Sequence, residues 1–337
     1  MKKVLVTGGL GYIGSHTVVE LQMAGIEVVI IDNLSNSSVI VKDRIEEISG
    51  IPVKFYQADV GDFDALKGVF QLEPKIDAVI HFAAFKAVGE SVDNPLLYYH
   101  NNISALITLL KVMETFYVQT IIFSSSCTVY GDVGNSPVNE SQPIADAASP
   151  YGTTKIICEK LLFEYAALKP LKVVSLRYFN PVGAHESAKI GELPIGVPNN
   201  LVPYITQTAA GFREKLTVFG SDYSTADGTN IRDFIHVVDI AKAHYKAFVY
   251  SLTNSEQVEI FNLGTGTGQS VLDVIKSFEK VSGLSLKYEM GARRPGDVVK
   301  IWADATKASD KLGWTAKQDL DSMMRSAWNW QKTLPKG

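Results

Sequence analysis

Cysteine is scarce in this chain. There are two among 337 residues, Cys127 and Cys158. They form no metal-type spacing and no disulfide framework. The six histidines are scattered, so no metal site is expected. Long apolar runs are missing too. None reaches the length a bilayer crossing requires, so no membrane partner is expected. The start, Met1-Lys2-Lys3-Val4-Leu5-Val6, carries the charge of a secretory n-region, but Thr7-Gly8-Gly9 interrupts it before an apolar stretch develops. Charge of one sign does not dominate: 32 Lys and Arg face 36 Asp and Glu, a net charge of -4. No basic stripe follows, which argues against nucleic acid as a partner. Repeats, low-complexity tracts and charged linkers are also absent. What remains is a cytoplasmic globular protein, long enough for two lobes that share one cleft.

The first half alternates short apolar runs with helical patterns. Lys3–Val6, Glu27–Ile31, Val53–Gln57, Ala78–Phe82, Thr120–Ser124 and Lys172–Leu176 read as strands rich in Val and Ile, with little in-out alternation. Strands covered on both faces read this way. Helical patterns fall at Tyr12–Ala24, Ser38–Ile48, Phe63–Leu72, Leu96–Phe116 and Tyr151–Leu168. The alternation predicts an α/β fold with a doubly wound parallel sheet of the Rossmann type. After Phe179 the rhythm breaks. Residues 180–235 read as Gly- and Pro-rich loop plus one helix. Phe234–Tyr250 reads as a strand end and a helix, and Glu259–Leu263 as a buried strand. From Ser270, two or three helices surround a strand near Leu286–Glu289. The expected division gives 1–179 plus about 236–264 to a dinucleotide-binding domain. Residues 180–235 plus about 265–337 make a smaller C-terminal α/β substrate lobe.

Thr7-Gly8-Gly9-Leu10-Gly11-Tyr12-Ile13-Gly14 follows the first strand directly. Gly8, Gly11 and Gly14 allow a sharp turn, close approach to a pyrophosphate and tight helix–sheet packing. The helix start then offers amide groups and partial positive charge to the phosphates. Asp32 ends the second strand, where a carboxylate accepts from the ribose hydroxyls of adenosine. It would repel a 2′-phosphate, and Asn33, Leu34 and Ser35 offer no Arg to hold one. NAD is therefore favoured over NADP. Asp59 ends the third strand; it reads either as a partner for the adenine amino group or as a helix N-cap before Gly61-Asp62. Phe82-Ala83-Ala84-Phe85-Lys86 ends the fourth strand with small residues that let a cofactor backbone lie close.

The fifth strand ends in Ser124-Ser125-Ser126. Pro150, suited to a first helical turn, precedes Tyr151-Gly152-Thr153-Thr154-Lys155. Tyr151 and Lys155 then share one helix face. A phenol is a poor base at its ordinary pKa near 10. A neighbouring ammonium and a positive nicotinamide ring both favour the phenolate. Such a tyrosine can take a proton from a sugar hydroxyl as hydride leaves the same carbon. Ser126 can steady that hydroxyl. On their own, a Tyr and a Lys at a helix start are ordinary surface residues; behind a dinucleotide turn they read as chemistry.

With these residues the chain resembles an extended short-chain dehydrogenase/reductase and, more narrowly, the UDP-galactose 4-epimerases. The resemblance covers essentially the whole length. Beyond the motifs above it rests on Lys86-Ala87-Val88-Gly89-Glu90-Ser91, Thr128-Val129-Tyr130-Gly131, and Leu176-Arg177-Tyr178-Phe179-Asn180-Pro181-Val182-Gly183-Ala184. Gly196-Val197-Pro198-Asn199-Asn200-Leu201, Asp227-Gly228-Thr229 with Arg232-Asp233, and Arg294-Pro295-Gly296-Asp297 agree as well. It implies Tyr151 as general base and acid, assisted by Ser126 and Lys155. It implies NAD contacts from Tyr12, Ile13, Asp32, Asn33, Leu34, Ser35, Asn36, Ser37, Asp59, Val60, Phe82, Ala83, Ala84, Phe85, Lys86, Asn101 and Phe179. UDP-hexose contacts are implied for Lys86, Asn180, Asn200, Leu201, Thr217, Val218, Phe219, Arg232, Arg294 and Asp297, beside Ser126 and Tyr151. The arginines are fixed charges suited to a diphosphate. A homodimer is implied too, through helices 96–116 and 151–168, whose apolar residues occupy more than one face.

The implied activity is interconversion of UDP-galactose and UDP-glucose by C4 oxidation, turning of a bound 4-ketose, and re-reduction. Cys127 after the serines reads as a buried free thiol. Ile301 stands where the family has a bulky residue in enzymes limited to glucose and galactose, and a smaller one where N-acetylated sugars enter; it is intermediate in size. Three other readings compete. A 4,6-dehydratase would need an acid beside Ser126, and Ser125 and Cys127 supply none. A UDP-uronate 4-epimerase would need a further cation for the C6 carboxylate. A dinucleotide sensor would have no need of Tyr151 and Lys155 together.

Overall fold

Val- and Ile-rich stretches form the strands because branched side chains pack well on a pleated surface covered from both sides. In the computed structural model, which describes all residues except 135, 295–296 and 336–337, these are β1 (Lys3–Thr7), β2 (Glu27–Asp32), β3 (Lys54–Gln57), β4 (Ala78–His81), β5 (Thr120–Ser126) and β6 (Lys172–Tyr178). Three-residue β7 (Asn180–Val182), β8 (Leu216–Phe219), β9 (Ile231–Arg232) and β10 (Phe234–His236) lie outside the main sheet, which β11 (Val258–Leu263) rejoins. The main sheet runs β11-β6-β5-β4-β1-β2-β3, all parallel. The expected doubly wound sheet is thus present. Strand order reverses between β1 and β4, and a crevice opens beyond their carboxyl ends.

Helices α1 (Tyr12–Met23), α2 (Ile40–Ser49), α3 (Phe63–Leu72), α4 (Val88–Asp93), α5 (Pro95–Tyr99), α6 (Ala105–Thr115) and α7 (Pro150–Leu168) connect the strands. Local chemistry sets their starts. Asp62 accepts from the Asp64 and Ala65 amides at the head of α3, and Ser149 from the Gly152 amide ahead of Pro150 in α7. Two apolar cores sandwich the sheet. Val18, Leu21 and Ile45 lie on one side; Leu66, Leu106, Leu109 and Leu162 lie on the other. Truncating one such leucine to alanine costs about 2–5 kcal/mol.

The single helix expected over 96–116 is instead α5, a π turn at His100–Ser104, and α6. Asn102 explains the wide turn: its amide bonds the Phe85 backbone at both ends and donates to Thr154 Oγ1 at 3.0 Å. Periodicity cannot register that extra residue.

The second lobe has more strands than its loop-like sequence predicts. After α8 (Leu201–Ala209) and α9 (Val237–Thr253) come β12 (Gln269–Ser270), α10 (Val271–Ser282), β13 (Tyr288–Gly291), β14 (Lys300–Ile301), α11 (Thr306–Leu312) and α12 (Leu320–Thr333). β13 pairs with β8, and β9 lies between β12 and β14. Strands of two to four residues are too short to show alternation. β13 also begins later than the expected strand near Leu286, which turns instead into the core formed by Ile205, Val218, Phe278 and Met323. Although 265–337 reads as second lobe, Ala308, Leu312 and Trp314 pack into the sheet core, because α11 is apolar on the side facing β11.

Candidate active site

The turn after β1 is drawn tight. Gly8 sits at φ +67°, and a Cβ there would lie 2.8 Å from the Ala83 amide nitrogen; one at Gly14 would lie 2.2 Å from the Gly8 carbonyl. Gly11 caps α1 with no side chain bonded to the first-turn amides, which are left to meet an anion. Asp32 is nearly buried. Its carboxylate accepts from the Leu10 amide at 3.0 Å, the Leu34 amide at 2.9 Å and Ser37 Oγ at 2.8 Å. Oδ2, which takes the Leu10 amide alone, keeps capacity for a further donor. Asn33 donates to Asp59 at 2.8 Å, and Asp59 takes the Gly61 amide. Asp62, not Asp59, is the helix cap, so the capping alternative for Asp59 falls.

These residues wall an open cleft. Gly8, Gly11, Asp32, Asn33, Ser35, Asn36, Ser37, Asp59, Val60, Phe82, Ala83, Ala84, Phe85 and Asn101 line it, with Ala58 and Ala105, which sequence reading missed. The π turn carries Asn101 to the wall. Small walls and free amides under a carboxylate fit a dinucleotide. The other expected contacts lie outside this wall. Ile13 and Leu34 pack into the sheet core. Tyr12 donates to the Gly183 carbonyl at 2.6 Å, tying α1 to the second lobe. Phe179 is buried among Val129, Tyr130, Ile301 and Ala303.

On α7, Lys155 is buried and donates to the Ser124 carbonyl at 2.6 Å; its Nζ lies 5.9 Å from the Tyr151 ring centre. Ser126, at the end of β5, accepts the Thr128 amide at 3.2 Å. Burial brings Lys155 down to about 8. The Tyr151 phenol moves the other way. Burial pushes it up to about 12, and the nearby Ser126 hydroxyl works in the opposite direction without offsetting that.

Across the crevice, Arg232 on β9 is largely buried, with its guanidinium 3.7 Å from Asp297. Arg294 reaches Asp297 at 3.1 Å and stacks 5.0 Å over Phe219. In the Arg294–Asp297 motif, Pro295 and Gly296 lie outside the described residues. Asn180 begins β7. Thr217 and Phe219 face outward from β8, whereas Val218 and Leu201 turn their side chains into the lobe's core and offer the site only backbone. Ile301 is buried beside Arg232 in the β14–β9 pair.

One residue that sequence reading missed joins the lobes. Glu192 accepts from Lys86 Nζ at 3.0 Å and from Asn200 Nδ2 at 2.6 Å. Two expected ligand contacts are thus held by one acid, which no motif marks. Among the described residues, no cluster of His, Cys, Asp or Glu is placed to hold a metal ion.

The family model described as GDP-mannose 4,6 dehydratase matches residues 5–327. The chain is 51% identical to UDP-glucose 4-epimerase of Bacillus subtilis over 335 residues, covering 99% of this chain and 98% of that one. It is 50% identical to the Erwinia amylovora enzyme of the same name over 99% of each chain. Among solved structures, it resembles UDP-glucose 4-epimerase from Bifidobacterium longum in complex with NAD+ and UDP. The TM-score is 0.95 at 48% identity, over 98% of both chains. With this glycine turn, this Tyr151–Lys155 helix and these relatives, the chain belongs to the UDP-glucose 4-epimerases of the extended short-chain dehydrogenase/reductase family.

Proposed function

We propose that this chain interconverts UDP-glucose and UDP-galactose at C4 with NAD as resident cofactor. The observation that carries the reading is the meeting of Tyr151, Lys155 and the Ser126 strand end beside the glycine-walled cleft. NAD, when bound, supplies the acceptor and donor of hydride and a positive ring that draws the Tyr151 proton affinity down. Tyr151 takes the O4 proton and returns it. Ser126 steadies the hydroxyl. Lys155 holds positive charge near the phenol and would hold the nicotinamide ribose. Gly8, Gly11 and the first-turn amides of α1 would hold the pyrophosphate, Asp32 the adenosine ribose, and Asp59 the adenine.

Arg232, Arg294 and Asn180 grip the UDP diphosphate, with Phe219 against the uracil. A tight hold on UDP beside a loose hold on the hexose lets the 4-ketose turn over between half-reactions. A dehydratase is disfavoured because buried Ser125 and the Cys127 thiol, which burial raises to about 12, give no acid for elimination. Incubating purified protein with UDP-galactose, UDP-glucose, UDP-N-acetylglucosamine and UDP-glucuronate, without added NAD, tests the reading. Interconversion of the first two is expected. A 4-keto-6-deoxy product, or no turnover, would refute it.

We also propose a homodimer formed through α5, α6 and α7. Leu96 is 80% exposed, Leu97 and Ile107 are exposed further along the same helical stretch, and exposed apolar side chains there suit a two-fold contact. The two free cysteines support a reducing, cytoplasmic setting. No helix among the described residues is long and apolar enough to cross a membrane.

A further inference from the structure

We infer that the buried ion pair between Glu159 and Arg177 positions the proton-handling end of α7, a role that rests on the epimerase reading above. Tyr151, Lys155 and Glu159 recur every four residues and share one face of α7. Glu159 is fully buried and Arg177 is 2% exposed. The contact has two points: Arg177 Nε donates to Oε1 at 3.0 Å and Nη2 donates to Oε2 at 2.7 Å. Ser175, two residues before Arg177 on the same face of β6, donates to Oε1 at 2.7 Å.

The guanidinium reaches further. It lies 4.9 Å from the centre of the Tyr130 ring, which closes the short turn beginning just after Ser126. Tyr130 in turn donates to Asn262 at 2.6 Å on β11. Arg177 is paired across the sheet with Ser125, one residue from Ser126. One side chain thus braces the helix that carries Tyr151 and Lys155, the strand beside Ser126, and the turn behind it. Bulk stability does not require charges here, since apolar residues of similar volume serve as well. A fork-to-carboxylate contact adds a fixed angle and height.

Charge points the same way. The other titratable groups facing this end of α7 are His81 from β4, Cys127 and Tyr130 from the turn after β5, Tyr178 from β6, Tyr98 from α5 and Cys158 from α7 itself. Burial lowers His81 to about 3 and raises Cys127 and Tyr130 to about 12 and Cys158 to about 11. Tyr98 and Tyr178 are raised as well. All are neutral near pH 7. Glu90, from α4, is engaged by the Tyr98 hydroxyl at 2.6 Å. Burial lowers Lys155; Cys158 and then the Glu159 carboxylate oppose it, while Arg177 balances that carboxylate.

The test compares kcat–pH profiles, with wild-type C4 epimerisation measured first; its absence would remove the functional reading without touching the pair. Glu159→Gln, which leaves Arg177 unbalanced, is expected to move the alkaline limb to lower pH by about half a unit or more. It lowers kcat about ten-fold, with the KM for UDP-glucose within about two-fold. Arg177→Gln moves the limb to higher pH. The double variant returns it to within about 0.2 unit of wild type. Shifts of the same sign in both single variants, or no shift in either, overturn the proposal. If a single variant does not fold, Arg177→Lys decides. It keeps the charge but not the two-point contact, so the limb should stay in place while kcat falls about ten-fold. An unchanged kcat overturns the role.

Discussion

The two walls of the crevice are built differently. The first-lobe wall is made of strand ends, one glycine turn and the start of a helix. Its groups are fixed by backbone: Asp32 by two amides and a hydroxyl, Lys155 by the Ser124 carbonyl. The second-lobe wall is made of two- to four-residue strands and loops, and side-chain pairing joins backbone in holding its charges: Arg232 donates to the Ile231 carbonyl at 2.8 Å and lies 3.7 Å from Asp297, which Arg294 meets at 3.1 Å. A wall set by the sheet suits a group that stays and reacts at fixed geometry. A wall of paired side chains can exchange its partners when a charged ligand arrives. The comparison matches a resident NAD against a substrate that must be held at one end and turned at the other.

The sharpest way to break that contrast is at Tyr151. Tyr151→Phe should lower kcat by about 10³-fold while leaving UDP affinity, measured by calorimetry, within about two-fold. Near wild-type turnover would remove Tyr151 from the chemistry. Lys155 gives the pH counterpart. Lowered to about 8, it sheds its proton as pH rises past that value, so kcat should fall on the alkaline side near pH 8. A profile flat to pH 10 would contradict this.

Next in size is the second wall. Arg232→Met should raise the KM for UDP-glucose about 100-fold and leave NAD content unchanged. A loss of NAD without a KM effect would reverse the assignment of the two walls. Asp32→Asn should then raise the apparent Kd for NAD about ten-fold, read as cofactor lost on gel filtration, with UDP affinity intact. The smallest effect on chemistry belongs to the helix surface. Leu96→Asp should convert a dimer to a monomer in sedimentation velocity and change kcat less than about three-fold. A wild-type monomer would end the dimer proposal.

The same contrast governs how much could be read in advance. The sheet was legible because buried parallel strands must be continuous apolar runs, and the glycine turn because its backbone tolerates little else. Tyr151 and Lys155 were legible because helix spacing is regular and Pro150 marks the start. Across the crevice, β9 and β14 have two residues each, too few for any pattern. Arg232, Asn180 and Asn200 were placed only by resemblance, and Glu192 was not seen at all, since a pairing 106 residues apart with Lys86 leaves no local trace. The upward push of burial on the Tyr151 phenol was not legible, because burial is a property of the fold and not of a sequence neighbour.

The π turn between α5 and α6 bears on how this sequence can vary. It holds one residue more than an α-helix of the same rise would use. Removing any one residue from 100–104 would let the helix close into regular form and draw the bulged residues back into the α-helical register. Asn101 would leave the cleft wall, and Asn102 would lose both Phe85 and Thr154. A one-residue deletion that an exposed loop would absorb should be lethal to function in this helix, even though the shortened version is locally the more ideal one.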